Sequence, residues 1–155
     1  MDHRGTGLIA ENSLDIGRSQ AGNTGGIGVI VGHQPAADLA ALRKAGIAIG
    51  ISTHDEAELE TALAADPAYV ALGPIYETKL KAMKWAPQGL ERIGAWKKRV
   101  GTLPLVAIGG ITPERAGPVL AAGADSVAVI TDFMTAPHPE ARVRLWLDWA
   151  ATVRA

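Results

Sequence analysis

Short apolar runs alternate with helical patterns along most of the chain, and this alternation constrains the fold more than any other feature. The runs are rich in Val, Ile and Leu and occupy residues 27–31, 47–52, 69–72, 105–108 and 126–130. The helical patterns occupy residues 36–45, 55–65, 87–99, 113–122 and 139–153. In the last helix we expect Leu145, Trp146 and Trp149 to form the buried side. Short buried strands that alternate with helices form βαβ units, so the sequence predicts an α/β protein with a parallel sheet.

The composition excludes several classes of partner and site. A length of 155 residues, of which 48% are hydrophobic, is ordinary for one globular domain with a core. The net charge of −1 gives no basic surface for nucleic acid or anionic lipid. The absence of cysteine excludes disulfides and thiolate metal sites, and it fits a cytoplasmic location. No apolar run reaches the roughly 18 residues that a transmembrane helix needs, so we expect no membrane span.

The first 26 residues differ from the rest of the chain. They carry a glycine-rich stretch at residues 23–26, which is typical of a loop or linker. Only residues 8–10 resemble a strand, and residues 13–18 resemble a short helical turn. We therefore expect residues 1–26 to be a poorly ordered segment and residues 27–155 to form the folded domain.

A β-branched run that ends in two glycines gives the strongest functional signal. Residues 106–108 are followed by Gly109 and Gly110, and then by a helix start with Thr112 as N-cap and Pro113 at the first helical position. Glycines let the backbone approach a ligand closely, and the N–H groups of a helix start favour an anion. The segment fits a phosphate cradle, but an ordinary tight turn between strand and helix explains it equally well.

Polar residues and glycines follow the predicted strands, at the edge where ligands bind in parallel α/β folds. They are Ser52, Thr53 and His54 after the second strand, Thr78, Lys79 and Lys81 after the third, Gly109 and Gly110 after the fourth, and Ile130 and Thr131 after the fifth. Hydroxyls, ammonium groups and backbone N–H groups suit a phosphorylated ligand. The loop over residues 73–86 is long for such a connection, and long ordered loops are often functional.

Each candidate also has a purely structural explanation. Thr53 and Glu56 match a capping box, and His54 matches a solvated residue of the first helical turn. The lysines of the long loop could serve only solubility. Trp85 either shields a ligand or packs on a neighbouring helix.

Five ordered motifs resemble those of thiamine-phosphate synthases, a family that includes the related thiazole tautomerases. The motifs are GISTHD (50–55), LGPIYET (72–78), WAPQGL (85–90), VAIGGIT (106–112) and AGADSV (122–127). The resemblance runs from about residue 28 to the end of the chain. It implies a (β/α)₈ barrel, of which about five C-terminal βα units are present here, that is, an incomplete TIM-type barrel.

The resemblance also implies a reaction and a set of site residues. The synthase joins hydroxymethylpyrimidine diphosphate to thiazole phosphate, with magnesium helping the diphosphate to leave. Ser52 and Lys81 would contact the diphosphate, with Lys81 as a catalytic cation, and Thr78 would belong to the loop that holds both phosphate groups. Gly109, Gly110, Ile130 and Thr131 would bind the thiazole phosphate. Leu80 replaces the second hydroxyl of the Thr78 loop.

The departures from the family pattern concern the other half of the site. The first three βα units, with their diphosphate-binding motif and one magnesium ligand, are absent, so we expect an N-terminally truncated barrel. His33 and Gln34 stand where a second magnesium carboxylate belongs, and neither replaces it well, so no magnesium ligand is identified. An open five-stranded sheet would expose its edges and its barrel-facing side chains. The chain would then form a homo-oligomer or pair with a complementing chain.

Three functions remain open at this stage. The first is a thiamine-phosphate synthase that is impaired when alone. The second is a thiazole tautomerase in which His54 acts as general acid and base. The third is a non-catalytic, phosphate-binding remnant.

Overall fold

The computed structural model describes residues 17–19, 26–31, 39–78 and 85–153, with only the backbone described in the first two ranges. Within these ranges the strands are β1 (Gly17–Ser19), β2 (Gly26–Val31), β3 (Ala48–Thr53), β4 (Tyr69–Leu72), β5 (Leu105–Ile108) and β6 (Ser126–Ala128). The helices described there are α1 (Leu39–Lys44), α2 (Glu56–Ala64), α3 (Gly89–Val100), α4 (Pro113–Ala121), α5 (Thr131–Met134) and α6 (Pro139–Val153). None of the helices described is long and apolar enough to cross a lipid bilayer.

One sheet contains all six strands in chain order, β1-β2-β3-β4-β5-β6. Strands β2 to β6 are parallel, and each pairs with the next, as in the register Gly50↔Tyr69 and Ala107↔Val127. Consecutive parallel strands without a reversal of order are wound in one direction, as in a (β/α)₈ barrel. The predicted α/β class with about five βα units of an incomplete TIM-type barrel is confirmed.

The main core lies between the sheet and the helices. Alternate strand residues such as Ile51, Val70 and Ala107 pack there against Leu59 of α2 and Ile93 of α3. A buried chain of hydrogen bonds crosses the same face. The Trp96 indole N–H donates to the Thr53 hydroxyl (3.0 Å), which donates to the Ala71 carbonyl (2.9 Å). The polar atoms of these buried side chains are thereby satisfied.

The opposite face of the sheet carries a second, smaller cluster, whose described members come from the strands and their ends. Its members are Tyr69, Ala71, Val106, Ile108 and Ala128, with Ile130 packed against them. The expectation that these barrel-facing side chains are exposed is wrong, because all five cluster members are buried. The Tyr69 ring lies over Gly50, and burial raises the pKa of its hydroxyl to about 12.

Several predicted boundaries need correction. Gly17 and Arg18 belong to β1, which pairs antiparallel with β2, so the helical turn predicted over 13–18 is wrong at these two residues. The fifth predicted strand ends at Ala128, because Ile130 is the N-cap of α5. In α6, Trp146 is buried as predicted, whereas Leu145 is 42% exposed. Residues 8–10, and 36–38 of the first predicted helix, lie outside the described ranges.

We predict that Gly50→Ala destabilises the fold because an added Cβ would lie 2.0 Å from Cζ of Tyr69. Overpacking of this kind costs about 1–3 kcal/mol, measured as the free energy of unfolding in urea. Gly117→Ala is the control, because nothing lies within 4 Å of its added Cβ. Its helical position should instead gain up to about 1 kcal/mol. In a Tyr69→Ala background, the penalty of Gly50→Ala should disappear, and an undiminished penalty would refute the explanation.

Candidate functional site

The segment that follows β4 lies against the carboxyl end of β5. The Ile75 N–H donates to the Ile108 carbonyl (2.9 Å), and the Tyr76 N–H donates to the Gly109 carbonyl (3.0 Å). The chain returns to the same place before α3. There the Gln88 N–H donates to the Pro74 carbonyl (2.7 Å). We call residues 73–78 the β4 loop. Its hydrogen bonds fix it over the turn that contains the two glycines.

Gly109 and Gly110 are required by this packing. Both have positive φ angles, +98° and +63°, which L side chains rarely adopt. An added Cβ would lie 2.6 Å from Cα of Pro74 at Gly109 and 2.5 Å from the Glu77 carbonyl oxygen at Gly110. The glycines therefore let the β4 loop approach the end of β5, whether or not a ligand binds. The structural and the functional explanations of this motif are compatible.

Three predicted site residues come together here. The hydroxyl oxygens of Thr78 and Thr131 are 3.4 Å apart, although 53 positions separate them in the sequence. Gly110 adjoins the same loop through Glu77. Within residues 39–78 and 85–153, no hydrogen bond occupies the N–H of Gly110 or of Thr131. We call Thr78, Gly110 and Thr131 the hydroxyl–glycine cluster.

The other predicted residues lie at the same edge of the sheet or outside the described ranges. Ser52 is buried near the carboxyl end of β3, opposite Ala71 of β4. Ile130 precedes α5 and packs against the second, smaller cluster, which contains Tyr69 and Ile108. Lys81, together with Lys79, Leu80, Lys84, His33 and Gln34, lies outside the described residues.

Arg115 brings a positive charge to the glycine turn and was missed from the sequence. Its Nη1 donates to the Gly110 carbonyl (2.8 Å), and its guanidinium lies 4.6 Å from the centroid of the Tyr76 ring. A cation on an aromatic face is attracted by the ring quadrupole. Arg115 lies three residues after the N-cap Thr112. Long side chains in a helix point back toward its N-terminus, so this position predicts a contact with the preceding glycine turn.

Asp132 fastens α6 to the short helix that begins at Thr131. Its carboxylate accepts hydrogen bonds from Arg142 Nε (2.7 Å), Arg142 Nη2 (2.8 Å) and the Trp146 indole N–H (2.8 Å). Burial raises the pKa of Asp132, but the hydrogen bonds from Arg142 and Trp146 outweigh burial, so the pKa lies below its ordinary value. The sequence places Asp132 after the fifth predicted strand and suggests only that Thr131 and Asp132 cap the segment that follows, because the partners of Asp132 are 10 and 14 residues away.

His54, which lies just before α2, contacts Glu58 and Trp85. Its Nδ1 is 2.8 Å from Glu58 Oε2, and its backbone N–H donates to the same oxygen (2.8 Å). Its imidazole stacks on Trp85, with ring centroids 3.9 Å apart and an interplanar angle of 11°. The interpretation of His54 as a solvated residue of the first helical turn is therefore wrong. Trp85 packs on the imidazole of His54. The i,i+4 spacing of His54 and Glu58 was a signal for this pair.

The capping box predicted for Thr53 and Glu56 is wrong. The N-cap of α2 is Asp55, whose side chain accepts from the Glu58 N–H (2.9 Å). Thr53 belongs to β3 and its hydroxyl is buried against Trp96. At the start of α4, Thr112 and Pro113 take the predicted N-cap and first helical positions.

Three carboxylates near the carboxyl ends of the strands are engaged by other groups of the protein. Asp132 pairs with Arg142, Glu58 pairs with His54, and Asp55 caps α2. In the part of the chain that the structure describes, no three His, Asp or Glu side chains lie close enough to hold a metal ion. These residues do not fit a magnesium site.

Comparison with known proteins identifies the family. The sequence model of the family described as thiamine monophosphate synthase matches residues 3–133. The chain belongs to the thiamine monophosphate synthase family. This confirms the resemblance seen in the five motifs. The match also begins near the start of the chain, well before the first motif at residue 50.

Curated proteins that are similar to this chain are named thiamine-phosphate synthase. One from Rhizobium etli is 64% identical over 120 residues, which are 77% of this chain and 59% of the relative. One from Cronobacter sakazakii is 50% identical over 101 residues, which are 65% of this chain and 48% of the relative. The chain thus spans about half the length of the curated relatives it matches.

A solved structure gives the same family and fold. The thiamine phosphate pyrophosphorylase from Pyrococcus furiosus superposes with a TM-score of 0.67 at 28% sequence identity. The superposition covers 81% of this chain and 60% of that chain. The partial barrel described above is therefore part of the family's fold.

We predict that Gly110→Ala destabilises the protein more than Gly46→Ala. Both glycines have positive φ, +63° and +75°, so both alanines carry backbone strain of about 1–2 kcal/mol. Only Gly110 also meets the β4 loop, whereas nothing lies within 4 Å of an added Cβ at Gly46. Urea unfolding should give an extra loss of at least about 1 kcal/mol for Gly110→Ala. Equal losses would contradict tight packing of the β4 loop on this turn.

We predict that Asp132→Asn lowers stability at pH 7 by about 1.5–3 kcal/mol, because hydrogen bonds to a charged group are lost. Since the folded pKa is depressed, this stabilisation is complete above the unfolded pKa of about 3.9 and disappears as pH falls through the folded pKa. The difference in free energy of unfolding between the wild type and the variant should therefore shrink as the pH falls from 7 through the folded pKa. Asp148→Asn, on the exposed side of α6, is the control. A difference that does not change with pH would exclude the carboxylate as its cause.

Proposed function

We propose that this chain carries the thiazole-phosphate half of a thiamine-phosphate synthase site. In the reaction of such an enzyme, the bond between the pyrimidine methylene carbon and the diphosphate oxygen breaks, and its electron pair leaves with the diphosphate. The thiazole nitrogen then donates its lone pair to that carbon, which gives thiamine phosphate and pyrophosphate. The family membership and the synthase relatives support this proposal.

The hydroxyl–glycine cluster is the observation that carries the proposal. Two hydroxyls 3.4 Å apart, beside a glycine turn and the start of a helix, offer several donors to one small anion. In this proposal the N–H groups of Gly110 and Thr131 and the hydroxyls of Thr78 and Thr131 bind the thiazole phosphate. Gly109 and Ile130 hold the backbone around that phosphate. The anion would accept hydrogen bonds from these N–H groups and hydroxyls.

Ser52 and Lys81 have the role of diphosphate contacts in this proposal. A hydroxyl and an ammonium group that face the leaving diphosphate would stabilise the negative charge that develops on it. For Lys81 the support is the family resemblance alone. Arg115 adds a further positive charge at the glycine turn, so we assign it to the thiazole-phosphate side.

Magnesium has no donor set among the described residues, and the proposal contains no step through it. The tautomerase alternative, with His54 as general acid and base, is not favoured, because the matched relatives are named synthases. We further propose that the chain works in the cytoplasm on small phosphorylated substrates. We also propose that it forms a homo-oligomer or pairs with a complementing chain, and light scattering of the purified protein tests this association.

Calorimetric titration with thiazole phosphate tests the proposal. Thr131→Ala should weaken binding about tenfold or more, because a hydrogen bond to a charged group contributes about 1.5–3 kcal/mol. Thr78→Ala should act in the same direction. Thr61→Ala is the matched control, since Thr61 is exposed on α2 and bonds only its own helix. Failure of the folded wild-type protein to bind, or equal affinity of the Thr131 and Thr61 variants, would overturn the proposal.

A further inference from the structure

His54 makes a parallel stack with Trp85, the first described residue after positions 79–84. The centroid distance of 3.9 Å and the 11° interplanar angle correspond to direct contact over most of both rings. This contact joins the turn after β3 to the segment that precedes α3. A stacked pair of this kind contributes to stability beyond the burial of its area.

Glu58 fixes the plane of the His54 ring. One carboxylate oxygen, Oε2, accepts from the His54 backbone N–H and contacts Nδ1, both at 2.8 Å. The side chains of His54 and Glu58 are each only 13% exposed. Because one oxygen bonds both the backbone and the ring, rotation of the imidazole away from Trp85 would break the contact between Nδ1 and Glu58.

Gln88 adds a second link between the same two segments. Its side-chain amide donates to the His54 carbonyl (3.0 Å), and its backbone N–H donates to the Pro74 carbonyl (2.7 Å). The Gly89 N–H donates to the Ile75 carbonyl (3.1 Å). The residues just after position 84 are therefore attached both to His54 and to the start of the β4 loop.

We propose that His54 is a positioning residue and not a proton donor, and that its ring is the platform that fixes Trp85. Glu58 orients the platform, and Gln88 secures the chain beside it. The stack thereby sets where the chain enters α3 relative to the β4 loop and Thr78. What the anchored loop does for a substrate rests on the proposed function, but the anchoring itself does not.

Limited digestion with trypsin tests the anchoring without any substrate. Trypsin cleaves after lysine, and Lys84 directly precedes Trp85. We expect His54→Ala to accelerate cleavage at Lys84 about three- to tenfold over wild type, because it removes the stack. His54→Phe keeps a flat ring for the stack but loses the Nδ1 contact with Glu58, so its cleavage rate should lie between those of wild type and His54→Ala. His138→Ala, at an exposed histidine before α6, is the matched control.

Trp85→Ala and Trp85→Phe repeat the test from the other side of the stack. Trp85→Ala should match His54→Ala, and the double variant His54→Ala/Trp85→Ala should be cleaved no faster than either single variant. This pair keeps the test decisive if His54→Ala fails to fold. Cleavage of the His54→Phe protein as fast as His54→Ala, or additive effects in the double variant, would overturn the proposal.

Turnover of hydroxymethylpyrimidine diphosphate and thiazole phosphate separates positioning from proton transfer. A platform role predicts that His54→Phe keeps most of kcat, whereas His54→Ala and Trp85→Ala raise KM together. A general acid or base predicts loss of kcat in His54→Phe with unchanged trypsin cleavage, which would refute the proposal. If even the wild type shows no turnover and no binding of thiazole phosphate, the proposed function fails, while the trypsin comparison still decides the anchoring.

Discussion

The close packing of the Gly109–Gly110 turn against the β4 loop is the contact on which the candidate site depends. Side chains at these positions would overlap Pro74, Tyr76 and Glu77. The β4 loop can therefore lie on the end of β5. Thr78, which follows β4, then reaches Thr131, which follows β6, past the end of β5. A motif of two glycines after a strand is commonly explained by the ligand. Here the protein's own chain already requires it.

Two polar anchors hold the flanks of this arrangement. On one side, Arg142 and Trp146 of α6 bind Asp132 and so fix the short helix that begins at Thr131. On the other side, Glu58 orients His54, which stacks on Trp85 at the return of the chain. Each anchor contains a mostly buried carboxylate with a defined hydrogen-bond partner. Each therefore holds its side of the candidate site in a fixed position. Among the described residues, the carboxylates of Asp132 and Glu58 are thereby engaged by protein partners.

The sequence predicts the architecture well because periodicity and strand ends are local signals. The parallel sheet, the N-cap at Thr112 and the gathering of residues at the carboxyl ends of the strands all follow from local patterns. It fails where an interaction joins distant segments. Thr53 resembles a cap but bonds Trp96, 43 residues away, and Leu145 resembles a core residue although α6 turns it to solvent. The partners of Asp132 and the stack of His54 on Trp85 likewise depend on tertiary packing that no local pattern contains. The burial of the barrel-facing residues Tyr69, Ala71, Val106, Ile108 and Ala128 likewise depends on tertiary packing.

We propose that Thr78, Gly110 and Thr131 bind one phosphate group together. A titration of the ¹⁵N-labelled protein with thiazole phosphate, followed by the backbone amide signals in NMR spectra, tests this binding. We expect the amides of Gly110 and Thr131 to shift together, to saturate at the same ligand concentration and to lose this response in Thr131→Ala. Saturable binding that leaves both amides unchanged, or that shifts a different edge of the sheet, would contradict it.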